Sequence, residues 1–236
     1  MRSWAYDDVG QGFPVVLIHG HPFNRSMWAP QREFLRPEYR VIAPDLRGYG
    51  ENFSESEKTP LSVFAADILE LLDSLAIDRC VLGGLSMGGQ IVLECYRQFP
   101  ERIAGLVLAD TFAQLDTPER KQLRLDTAAR LIAEGMNKYS QEELPRMIAP
   151  HHVQTMPGVA EHVLRMMETS SPVDQDQYTP VSDARFMQER IPGAELAIIK
   201  DAGHMPNLER SGAFNVKLAE FLARVFGNTA HMMKAQ

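Results

Sequence analysis

Ser86 has glycines two residues to either side, in Gly84-Leu85-Ser86-Met87-Gly88, and the sequence changes character at that point. Before it, Val81 and Leu82 continue a short apolar run of strand type. After it, Ile91, Val92, Cys95 and Phe99 recur at helical spacing until Pro100. A serine on a strand-to-helix turn takes up a strained backbone conformation and brings neighbouring chain close two residues before and two after, where only very small residues fit. The first NH groups of the helix stand beside it and favour negative charge. These are the attributes of a nucleophile that attacks a carbonyl carbon. Such chemistry needs a base to take the serine proton and donors to hold the oxyanion. His204, flanked by Gly203 on a loop after the apolar segment 195–199, is expected at the same carboxyl edge of a sheet and supplies the base. The donors are the NH of Met87, next after the serine, and an NH from the loop following His19-Gly20, that of His21. His19 itself reads as structural, with its imidazole packed under the loop.

The elements that must position these residues alternate between strand and helix. Residues 3–9 form a short strand, turned by Gly10-Gln11-Gly12 into the apolar run Val15-Val16-Leu17-Ile18. A helix at 28–35 and a strand at 39–43 follow. Thr59-Pro60 predicts a helix start with a capping hydroxyl, and Leu61, Phe64, Ile68, Leu71, Leu72 and Leu75 give that helix its apolar face. After the Ser86 unit comes a strand at 103–109. The alternation implies a mainly parallel sheet with helices on both faces and ligands bound beyond the carboxyl ends of its strands. From about 112 to 171 it stops, and the pattern is helical only: 118–134, a short helix opened by Ser140 with Glu143 as a capping box, and 158–168. We read 112–171 as a helical cap inserted between two parts of one core, 1–111 and 172–236. The second part holds a helix at 180–190, a strand at 195–199 and a last helix at 212–226 stopped by Gly227.

Composition narrows the functional classes. Lys and Arg number 24 against 31 Asp and Glu, a net charge of -7, which disfavours a nucleic-acid or anionic-membrane partner. No apolar run approaches membrane-spanning length and the first residues lack an apolar signal core, so a cytoplasmic enzyme fits best. Cys80 and Cys95 lie on apolar segments and read as buried and reduced. His151, His152 and His162 lack the accompanying Cys or Asp spacing of a metal site and read as a solvated surface. Phe23, Trp28 and Met205 are candidates for lining a substrate pocket, with plain core packing as the equal alternative.

Four motifs occur in one order: Ile18-His19-Gly20-His21-Pro22, Asp45-Leu46-Arg47-Gly48-Tyr49-Gly50, Gly84-Leu85-Ser86-Met87-Gly88 and Ala202-Gly203-His204-Met205-Pro206-Asn207-Leu208-Glu209. Together they resemble the α/β-hydrolase superfamily, and within it the small carboxylesterases, 3-oxoadipate enol-lactonase-like hydrolases and cofactor-free perhydrolases. The resemblance implies a serine hydrolase that needs no cofactor or metal and cleaves a small carboxylic ester or lactone through an acyl-enzyme on Ser86. Epoxide hydrolases and dehalogenases share the fold but use aspartate at the nucleophile position.

The resemblance also implies a third catalytic member, an acid after the penultimate strand, in a segment like Gly-x-x-Asp-x-x-Thr-Pro. Asp176-Gln177-Tyr178-Thr179-Pro180 fits it, and Asp176 is the first choice. The helix and the core strand that should precede Asp176 are missing from the pattern: the chain passes from Met166-Met167-Glu168-Thr169-Ser170-Ser171-Pro172 straight to Val173. A helix and strand of a parallel unit take about thirty residues. Asp110, at the end of the 103–109 strand, is therefore the substitute acid. A binding protein of the same fold without a working acid is the competing class, and a homo-oligomer is left open.

Overall fold

The computed structural model describes residues 4–52, 59–114, 117–169 and 181–232. Among these residues five strands form one sheet in the order β1-β3-β2-β4-β5: β1 (Tyr6–Val9), β2 (Phe13–Ile18), β3 (Tyr39–Pro44), β4 (Cys80–Leu85) and β5 (Ile103–Ala109). Only β1 runs antiparallel, against β3; the pairs β2/β3, β2/β4 and β4/β5 are parallel. The parallel strands read as continuous apolar runs because both faces are covered. In β2, Val15 and Leu17 join one apolar cluster while Val16 and Ile18 join the other, as the two-residue period of a strand requires. The second cluster lies under α2 (Leu61–Ser74) and α3 (Met87–Gln98), which pack against each other. The first lies under α1 (Ala29–Leu35) and the C-terminal helix, and runs on into the helical segment after β5.

That segment comprises α4 (Pro118–Glu134), α5 (Met136–Met147), the single turn α6 (His152–Thr155) and α7 (Pro157–Glu168). Its buried Met136, Tyr139, Met147, Val163 and Met167 belong to the same cluster as Phe23, Met27, Trp28 and Met205. The chain continues with α8 (Val181–Arg190), the turn α9 (Pro206–Glu209) and α10 (Ser211–Met232).

Several local predictions are corrected. The cap position of α2 is Pro60, which has no side-chain group to make a capping bond, rather than Thr59. Ser140 opens no helix: α5 starts at Met136 after Gly135, whose φ of 82° suits the bend from α4, and Ser140 is buried inside it. Gly227 does not stop the last helix, which runs on to Met232. Residues 195–199 form no strand. A strand needs a neighbour to satisfy its backbone groups; none of the described strands pairs with this stretch, and Ile198 is exposed. The segment carrying Asp176 lies outside the described residues, so β5 is the last described strand on that side.

Candidate active site

The ends of four parallel strands, β2, β3, β4 and β5, build the site. β4 delivers Ser86 to the start of α3 with φ 58° and ψ −122°, a left-handed backbone that costs a non-glycine residue on the order of 1–3 kcal/mol. The surrounding structure over-determines that conformation. The Ser86 NH donates to the carbonyl of Ala109 over 2.9 Å, and the Thr111 hydroxyl donates to the Ser86 carbonyl over 2.6 Å. A Cβ on Gly84 would overlap the Gly88 backbone, and one on Gly88 would overlap the carbonyl of Ile18. The two flanking glycines thus let the turn close on itself and let α3 approach the end of β2. Gly20 completes the crowding: a Cβ there would sit 2.8 Å from the Leu85 carbonyl and 3.0 Å from the Ser86 Cβ. Ser86 is fully buried.

The loop after β2 supplies His21 and the loop after β3 supplies Tyr49. The Tyr49 hydroxyl lies 2.9 Å from Nδ1 of His21 and 3.9 Å from the sulfur of Met87. Both residues expected to contribute a backbone NH to an oxyanion thus hold their side chains at one buried hydroxyl. Beneath them, the His19 imidazole is fixed by two bonds: its Nδ1–H donates to the Gly20 carbonyl and its Nε2 accepts from the Leu46 NH, each over 2.9 Å. An Nε2 that accepts belongs to a neutral ring. Burial pulls the His19 pKa down to about 4, against the opposing pull of the Gly20 carbonyl and Asp45. Asp45, also buried, accepts from the backbone NH groups of Arg25 and Glu51 and pairs with the Arg25 guanidinium, which ties the two loops together.

His204 and Asp110 meet. The Nδ1–H of His204 donates to Oδ2 of Asp110 over 2.6 Å, with the histidine almost wholly buried. Asp110 follows Ala109, the residue whose carbonyl receives the Ser86 NH, so one short stretch of β5 touches both Ser86 and His204. Asp110 has a positive φ of 43°. The bond fixes the protonated nitrogen of His204 as Nδ1 and leaves Nε2 as the basic one. Of the two candidate acids, Asp110 is the one the described residues bring to His204; Asp176 lies outside them. Phe23, Trp28 and Met205 are buried in the apolar cluster shared with α5 and α7.

Residues 15–216 match the family described as Alpha/beta hydrolase family. The chain belongs to that family. It is a hydrolase, with relatives named for cleaving esters and lactones. It is 28% identical to 3-oxoadipate enol-lactonase 2 of Acinetobacter baylyi, with 89% of each chain covered. A thermophilic esterase from Thermogutta terrifontis superposes with a TM-score of 0.87 at 32% identity, covering 94% of this chain and 93% of that one. The enol-lactonase from Burkholderia xenovorans superposes with a TM-score of 0.85 at 25% identity, covering 93% and 96%.

Besides Tyr49 and Asp45, Thr111 and Glu209 hold the site in ways the sequence pattern does not reveal. Thr111 buttresses the Ser86 carbonyl and packs where a Cβ on Gly89 would stand. Glu209, fully buried, accepts from the Gly203 NH over 2.8 Å, from the Ala149 NH over 2.7 Å and from Nδ1 of His152 over 2.7 Å. It therefore holds the residue before His204 against the start of α6. The signal for Glu209 is in the sequence, an acid on the apolar turn just after the histidine; the reason for it is not. Among the described residues no helix is long and apolar enough to cross a membrane.

Proposed function

We propose that the protein cleaves a small carboxylic ester or lactone through an acyl-enzyme on Ser86, with His204 as base, Asp110 as acid and residues 112–171 as a cap over the site. The observation that carries this reading is the 2.6 Å bond between His204 and Asp110, whose neighbour Ala109 is bonded to Ser86. It weighs against the competing class, a binding protein without a working acid.

In this mechanism Nε2 of His204 takes the Ser86 proton as the oxygen attacks the carbonyl carbon. The carboxylate of Asp110 stabilises the imidazolium that forms. The backbone NH groups of Met87 and His21 hold the oxyanion of the tetrahedral intermediate. Collapse breaks the carbon–oxygen bond to the leaving group, which takes the proton from His204; in a lactone the leaving oxygen stays tethered to the acyl chain. Water, deprotonated by His204, then clears the acyl-enzyme and regenerates Ser86. The apolar surroundings of Phe23, Trp28 and Met205 suit an uncharged acyl portion. No step calls for a cofactor.

A fluorophosphonate should label Ser86 stoichiometrically, and short-chain nitrophenyl esters should turn over; Ser86→Ala should abolish both. A folded protein that shows neither labelling nor turnover would remove the reading.

A further inference from the structure

We propose that His151, His152 and Asp201 form a binding site for a divalent transition-metal ion of the zinc class. One ring nitrogen from each histidine and a carboxylate oxygen of Asp201 all lie within 4.8 Å of one another. The Nε2 of His151 is 2.9 Å from Oδ1 of Asp201, and that of His152 is 3.8 Å from Oδ2.

His152 is built as a ligand. It is buried, its Nδ1–H donates to the buried carboxylate of Glu209, and its lone pair is therefore on Nε2, facing Asp201. A carboxylate behind the non-ligating nitrogen fixes the tautomer and raises the basicity of the other, as in metal-bound histidines generally. Glu209 is itself anchored by the NH groups of Ala149 and Gly203, so this ligand does not need to be ordered on binding. His151 and Asp201 are both more than half or about half exposed, at 57% and 50%, which gives an ion a way in from solvent.

The site already attracts a cation. Nη2 of Arg210 donates to Nε2 of His152 over 3.1 Å and pairs with the Asp201 carboxylate. The same lone pairs that hold the guanidinium would hold the metal, so the two compete. Arg210 is 37% exposed and can move its charge into water, where a surface ion pair is worth little. Two imidazoles and a carboxylate, with water in a fourth position, make an ordinary tetrahedral set. The adjacency of His151 and His152 is visible in the sequence, but their third partner is supplied by the loop that precedes His204. A bound ion would therefore fasten the start of α6 to that loop, independently of whether Ser86 is a nucleophile.

The test uses the full chain, stripped with a chelator and titrated with Zn2+ by calorimetry and with Co2+ by visible absorption. We expect about one equivalent bound, with the intense visible bands of a tetrahedral cobalt site. Because His152 is buried, the informative variants are the exposed ones. His151→Ala and Asp201→Asn should each weaken binding by roughly tenfold or more, and Arg210→Gln should strengthen it. Absence of binding in both the wild type and Arg210→Gln would overturn the proposal. So would binding that His151→Ala and Asp201→Asn leave unchanged, which would place the ion elsewhere on the surface.

Discussion

The Nδ1–H of His204 donates to Oδ2 of Asp110 over 2.6 Å, although the two residues are 94 positions apart. Asp110 stands at the end of β5 and His204 on a loop just before α9. Their meeting is what supports Asp110 as the proposed acid, and it makes the first prediction sharp. Asp110→Asn should lower kcat on a short-chain ester by about 10³ to 10⁴, the loss that follows when the orienting carboxylate is removed. Asp176→Asn should change it less than about threefold if Asp110 is the acid. Steady-state kinetics of the two variants, with circular dichroism to establish folding, decides the assignment; the reverse ranking would move the acid to Asp176.

His19 should make the fold sensitive to acid. Its pKa is pulled down by burial to about 4 from an ordinary value of 6.5. The folded state therefore holds a neutral ring where the unfolded chain binds a proton. The contribution is fully present above about pH 6.5 and is lost as pH falls through about 4, amounting to roughly 3 kcal/mol in all. Urea unfolding midpoints measured across that window should fall as the solution is acidified. His19→Asn should have a shallower pH dependence in the same range.

The glycines divide into two kinds, and substitution should separate them. Gly88→Ala places a methyl group into the carbonyl of Ile18, backbone that cannot give way, and should cost about 3 kcal/mol or more or yield no folded protein. Gly227 lies inside α10 with nothing within 4 Å of an added Cβ. Gly227→Ala should therefore stabilise by up to about 1 kcal/mol. Thermal melts of the two variants check this, and a loss of stability in Gly227→Ala would mean that the helix stops where the sequence pattern suggests.

Glu209 should matter for both folding and rate. Glu209→Ala leaves the NH groups of Gly203 and Ala149 and the Nδ1–H of His152 without their acceptor, at a cost of about 3 kcal/mol or more. Glu209→Gln, with its oxygen in the place of Oε2, keeps the bonds to Ala149 and His152 but sets an amide NH₂ against the Gly203 NH. It should retain more of the stability than of kcat, because the displaced residue adjoins His204. Paired unfolding and kinetic measurements on the two variants read the difference.

Much of the molecule was legible in the chain. Val15 to Ile18 and Val81 to Leu82 read as buried parallel strands because an apolar run covered on both faces has no polar side to show. The Gly84 to Gly88 turn read as a nucleophile position because its two glycines are demanded by local backbone clearance, a requirement that acts over four residues. The strand expected at 195–199 was not legible as unpaired, since extended propensity says nothing about whether a neighbour exists. Ser140 and Gly227 carried the local marks of a helix start and stop, yet α5 and α10 run through them.

The sequence by itself determined the tight Gly84 to Gly88 turn, the alternating core and the loop bearing His204, because each depends on interactions between residues close along the chain. Only the tertiary structure decided which carboxylate stands behind His204 and which donors meet at Glu209. Those contacts join residues 94 and 60 positions apart. The order of strands in the sheet sets such distances, and the number and placing of strands depend on pairing between whole segments rather than on any local pattern.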